Sequence, residues 1–161
     1  MYSLYCMLWM GRNHGVVFQG IAKRAQLHPQ GSGCKYPLVC ALMNISMRLL
    51  LHFELEPEGF KMPMRLANGE KLPVASGASK TLLLKMLTEQ EDAWLELFCS
   101  AAEVLDHLCA TKISVDERGN YRLDLFSFIV DETIAEVENT MRLVHDVESM
   151  KGGLRPPHKH P

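Results

Sequence analysis

The chain contains no C-x-x-C pair, no excess of basic residues and no long apolar stretch free of polar interruptions. Its five cysteines, Cys6, Cys34, Cys40, Cys99 and Cys109, are an odd set at irregular spacing. That excludes a disulfide framework and a zinc ribbon, and leaves reduced, mostly buried thiols of an intracellular protein. With 17 Lys and Arg against 19 Asp and Glu, the net charge is -2. No broad positive field exists to draw a phosphate backbone, so nucleic acid is not an expected partner. The opening MYSLYCMLWM lacks a basic leader region and a small-residue cleavage site, so it reads as one helix of the fold rather than a signal peptide.

What is present is a chain of 161 residues, enough for one domain with a continuous core, of which hydrophobic residues make up 47%. The longest apolar run, KYPLVCALMNISMRLLLHF from Lys35 to Phe53, carries Asn44, Ser46 and Arg48 inside it. In a bilayer an arginine at the centre would cost roughly 2.5 to 3.5 kcal/mol. Leu38, Leu42, Ile45, Leu49 and Phe53 recur instead at three- and four-residue steps, the stripe of a helix packed into a core. On that helix Arg48 is expected to point outward, and Asn44 to be buried and hydrogen-bonded to an adjoining element.

The same periodicity predicts an all-α, compact multi-helix domain with one long surface loop. After the first helix, Gly11 to Gly15 is read as a break, and Val16–Leu27 as a second helix. The third runs from Tyr36 to about Leu55, with Pro37 in its first turn, where a missing N–H costs nothing. Residues Glu56 to Ser79 hold three prolines and three glycines and form the loop. A short helix follows over Lys80–Leu87, capped by Ser79. A strong one over Glu91–Thr111 turns Trp94, Leu97, Phe98, Ala101, Leu105 and Leu108 inward. The last, about Leu123 to Ser149, buries Phe126, Val130, Val137, Met141 and Val144, with Asp131, Glu132, Glu136 and Glu138 on its outer face. Asp116 to Asn120 is a turn, and residues 150–161 are a disordered tail after a single domain over 1–149.

No catalytic constellation emerges. SGASKT, Ser76 to Thr81, ends like a phosphate-binding loop but lacks both of that loop's glycines. Asp106, His107 and Cys109 are too close along one helix to face each other as base and nucleophile. His158 and His160 give no fixed metal geometry, so no metal site and no cofactor is expected. Lys23, Arg24 and His28 form a small basic group near a helix C-terminus, where cations complement the dipole. Partner binding is their second reading.

The helix from Tyr36 resembles the signature of the ELMO (engulfment and cell motility) domain family. That signature has Tyr-Pro, six intervening residues, then Asn, Ile or Leu, Ser or Thr and an aliphatic run. Here the residues are Tyr36, Pro37, Asn44, Ile45 and Ser46, followed by Leu49 to Leu51. A later block is similar too, with Phe98-Cys99 and Leu105-Asp106, although Cys109 stands where the family usually has tryptophan. Phe126 and Ser127 resemble a third, aromatic-Asn element. The resemblance spans roughly Val16 to His145 and marks these positions as structural signature residues.

The resemblance implies a cytoplasmic regulator of small GTPases, with a GTPase or a GTPase-regulator complex as partner. Activating members of the family carry Phe-Gln, then Asp-Pro, then Thr-Asp-Phe-Arg-Gly, whose arginine is the presumed catalytic group. Phe18-Gln19-Gly20 looks like a fragment of it, but Ile-Ala-Lys-Arg follows. Arg24 therefore inherits no catalytic role, and the front of the family domain is expected to be missing or diverged. A helical scaffold subunit unrelated to GTPases is the alternative, and an enzyme with its own small-molecule site ranks third.

Overall fold

The structure is a computed structural model, and it describes residues 2–26, 36–55, 69–71, 73–113 and 123–143. Among them are six α-helices: α1 (Tyr2–Asn13), α2 (Gly15–Gln26), α3 (Leu38–His52), α4 (Gly77–Glu89), α5 (Ala93–Lys112) and α6 (Phe126–Leu143). A single 3-10 turn, Leu123–Leu125, leads into α6. The all-helical architecture read from the sequence is the one observed. The turn at Asp116 to Asn120, the tail over 150–161, Val144 and most of the loop before α4 lie outside the described residues.

α5 is the central element. Its buried residues include Trp94, Leu97, Phe98, Ala101, Ala102, Leu105 and Cys109, while Glu96, Glu103 and His107 mark the side it turns outward. A helix with so broad an apolar face needs several partners, and α5 touches each of the other five helices. Ala93, Ala101 and Ala102 let neighbours approach closely. α3 lies across α5 and packs also on α1 and α6, with Ala41, Leu42, Ile45 and Leu49 inward. Leu50 and Leu51 are half-buried, so the aliphatic run is no open patch.

Several expected boundaries shift for local reasons. α1 continues through Gly11 to Asn13 and breaks only at His14. The His14 N–H still donates to the Met10 carbonyl (2.8 Å) and its carbonyl accepts from Phe18 (2.9 Å). α4 starts three residues earlier than expected, because Ser76, not Ser79, is its cap: the Ser76 hydroxyl accepts the Ser79 N–H at 3.1 Å. Pro37 sits at the N-cap of α3 rather than in its first turn.

The polar residues of the α3 run fall where the periodicity did not put them. Asn44 is exposed, on the side away from Ile45 and Leu49. The expectation that it is a buried tie between elements is overturned: one residue from the apolar stripe is enough to rotate a side chain out of the core. Arg48 is buried instead, paired with Asp131 of α6 at 2.9 Å. Four residues on, His52 is also buried, its Nδ1 2.8 Å from the Pro73 carbonyl and its Nε2 3.0 Å from the Glu138 carboxylate.

Asp131 and Glu138 thus leave the outer face of α6 assigned to them. Glu138 is buried, and its other oxygen accepts the Ser76 N–H (3.0 Å) and Arg142 Nε (2.9 Å). Of the four only Glu136 is exposed, while Glu132 is half-buried and paired with Lys112. Helical spacing separates faces, but it cannot show which charged face meets a charged partner from a distant helix.

Burial alone would raise the Glu138 pKa, but the bonds from His52, Ser76 and Ser79 overcome it and lower the group from 4.5 to about 2. A depressed carboxyl stabilises the fold above its unfolded pKa, and that stability is lost as pH falls from about 4.5 toward 2. Thermal unfolding midpoints are expected to drop across this interval, and Glu138→Gln to flatten the dependence. An unchanged slope in the variant contradicts the assignment. In the α3 run, Ile45→Ala is expected to cost about 2 to 5 kcal/mol in chemical denaturation. Asn44→Leu, at an exposed position, should stay within about 0.5 kcal/mol.

Candidate functional site

Tyr36 and Asp106, taken from two separate sequence blocks 70 residues apart, meet in the core. The Tyr36 hydroxyl donates to Asp106 Oδ1 at 2.7 Å, and Arg24 Nε donates to Asp106 Oδ2 at 2.6 Å. Tyr36 and Asp106 are buried, while the Arg24 side chain remains 51% exposed. The Tyr36 N–H adds a longer bond, 3.5 Å, to the carbonyl of Ala25. One carboxylate on α5 therefore holds the residue that opens the signature helix and the last turn of α2.

The arrangement suits anchoring, not chemistry. Burial first, then the Asp106 bond, pushes the Tyr36 phenol above its ordinary range, so it stays a neutral donor. Cys99 is likewise raised by burial, which keeps it an inert thiol. Phe98 and Cys99 are core residues of α5, and Ile45 is fully buried in α3. The buried Ser46 hydroxyl donates to the Met43 carbonyl (2.9 Å) and also bonds Ser3 of α1. Phe126 is half-buried against the same core, and Pro37 is half-buried at the start of α3.

Of the basic group, Arg24 is drawn into the Asp106 contact and Lys23 is exposed one position along, so the two do not form one patch. His28 lies outside the described residues. His107 is exposed while Asp106 and Cys109 are buried, so these three share no reacting centre. No group of three or more His, Cys, Asp or Glu among the described residues could hold a metal ion. None of the described helices is long and apolar enough to cross a membrane.

Sequence reasoning marked Tyr36 and Asp106 but did not join them, and it missed Arg48, His52, Asp131 and Glu138 as a second set of contacts. The available signal was that Arg48 and His52 stand one turn apart on a core helix and Asp131 and Glu138 two turns apart on a later one, so that each pair lies on one side of its helix.

Tyr36→Phe removes one donor from a buried carboxylate, and Asp106→Asn takes its charge from between two donors. The first is expected to cost about 1 to 3 kcal/mol and the second at least as much. Equilibrium denaturation checks both. In the Tyr36→Phe, Asp106→Asn double variant the losses should be less than additive, because the two residues share one bond.

The profile of the ELMO/CED-12 family matches residues 1–117. The matched span holds α1 to α5, including the Tyr36, Pro37 and Asn44–Ser46 signature and the Asp106 that anchors it, and it ends before Phe126 and α6. No curated protein and no solved structure matches the chain. With most of its length covered, and with the two sequence blocks joined through Tyr36 and Asp106, the chain belongs to the ELMO/CED-12 family.

Proposed function

We propose that the chain regulates small GTPases of the Arf-like or Rac pathways by binding a GTPase or a GTPase-regulator complex, without efficient GTPase-activating power of its own. The observation that carries this reading is the family membership over residues 1–117. It is set beside the missing Asp-Pro and Thr-Asp-Phe-Arg-Gly elements after Phe18-Gln19-Gly20.

An activating arginine must reach the transferring phosphoryl group, where it stabilises charge in the transition state and is worth a factor of about a thousand or more. Arg24 is the nearest basic residue to the Phe18-Gln19 fragment that pairs with a buried group, and its Nε is committed to Asp106 at 2.6 Å. A side chain held to its own core is poorly placed to enter another protein's nucleotide site. The reading places the protein in the cytoplasm, where such GTPases act. A scaffold unrelated to GTPases gains nothing from Leu49 to Leu51, which are covered or half-covered by their own fold.

Binding to a panel of Arf-like and Rac-type GTPases in GDP and GTP states tests the interaction, and binding to none of them, alone or with a regulator, removes it. Single-turnover hydrolysis tests the second half. GTP hydrolysis is expected to rise less than about tenfold, against the thousandfold of a complete arginine finger. A rise of about a hundredfold or more contradicts it. Arg24→Ala should lower stability and leave the hydrolysis rate alone.

A further inference from the structure

The end of α3 builds a groove. Glu54 adopts a left-handed conformation (φ 56°), and the chain closes by two backbone bonds, Glu54 N–H to the Leu51 carbonyl (3.2 Å) and Leu55 N–H to the Leu50 carbonyl (2.8 Å). This closure is usual with glycine, and a glutamate there costs about 1 to 2 kcal/mol. It sets Leu55 over Leu50. Tyr2 and Trp94 stand opposite, with ring centroids 6.2 Å apart, and Phe53 meets Trp94 edge-on at 6.4 Å. Tyr2, Leu50, Leu55, Trp94 and, from α4, Leu87 line a pocket of about 380 Å³, in the range of small ligand and side-chain pockets.

Three of its walls remain uncovered: Tyr2 is 41% exposed, Leu55 43% and Leu87 40%. The connection from Leu87 to Trp94 is the acidic run Glu89, Gln90, Glu91, Asp92, in which all three carboxylates are exposed. The nearby lysines are matched within the chain, Lys85 with Glu89 and Lys80 with Glu54. The lip on this side is therefore negative through Glu91 and Asp92. An anionic membrane is repelled by such a lip. A second copy docking by two-fold symmetry would bring the same carboxylates together.

We propose that this groove docks a partner protein's peptide segment in which a large apolar side chain is flanked by lysine or arginine. The apolar side chain fills the space between Leu55, Leu87 and Trp94, and the flanking cation meets Glu91 and Asp92. The contact requires no nucleotide, so it stands or falls apart from any GTPase reading. Its apolar part supplies affinity and its charged rim supplies partner choice and on-rate.

Selection of a displayed random-peptide library on the full chain tests this, with affinities of the enriched peptides then measured by fluorescence anisotropy. Enriched peptides are expected to place Lys or Arg within a few positions of Leu, Phe, Met or Trp. Leu87→Glu and the Glu91→Lys, Asp92→Lys pair should each weaken binding at least about tenfold. Leu55→Glu serves as a second groove variant should Leu87→Glu alter the circular dichroism melt. Enrichment of acidic or uncharged peptides, no enrichment over a blank surface, or binding indifferent to both groove variants overturns the proposal. So does competition by phosphatidylserine vesicles, or self-association of the chain that Leu87→Glu abolishes.

Discussion

Asp106 stands on the inner side of α5 with one oxygen on the Tyr36 hydroxyl and the other on Arg24. A carboxylate left alone in that position would lose its hydration with nothing in return, at a cost of several kcal/mol. One donor comes from α2 and the other from just ahead of α3, 82 and 70 residues away in the chain, so the contact is complete only when α2, the start of α3 and α5 have come together. The signature residues that open α3 thereby acquire a physical meaning. Tyr36 fixes where the helix begins against α5, and Pro37, at the N-cap, starts it without spending a backbone donor.

A second set of charges fixes the other side of α3. Arg48 with Asp131, and His52 with Glu138, tie one helix to α6 at two points along its length. Buried pairs repay little of their desolvation, and hydrophobic residues in their place would serve stability as well. Their effect is on register. Sliding α6 along α3 would leave a buried charge without its partner, at about 3 to 5 kcal/mol, while the surrounding aliphatic contacts tolerate a shift far more easily. Glu138 also receives the Ser76 N–H, so the segment entering α4 is held by the same carboxylate.

Both sets are anchors. Arg24 on Asp106, His52 on Glu138 and Tyr36 as a neutral donor are all held in contacts between elements of the fold. Neither set contributes a residue to the apolar groove lined by Tyr2, Leu50, Leu55, Leu87 and Trp94.

Much of this was legible in advance. The apolar spacing of α2, α3 and α5 follows from the 3.6-residue period, which local sequence states directly, and the helices lie where it puts them. The family followed from short patterns such as Tyr36-Pro37 and Asn44-Ile45-Ser46. The fate of the polar residues did not. Asn44 and Arg48 are one helical turn apart, yet the first faces out and the second is buried. The local difference is only about 40° of helical rotation, and the charge of Arg48 is met inside by Asp131 on a helix 83 positions later. Periodicity determines which side of a helix is apolar. Whether a charge on its border is solvated or paired depends on what another segment brings to the same place, and that is decided only once the chain has packed.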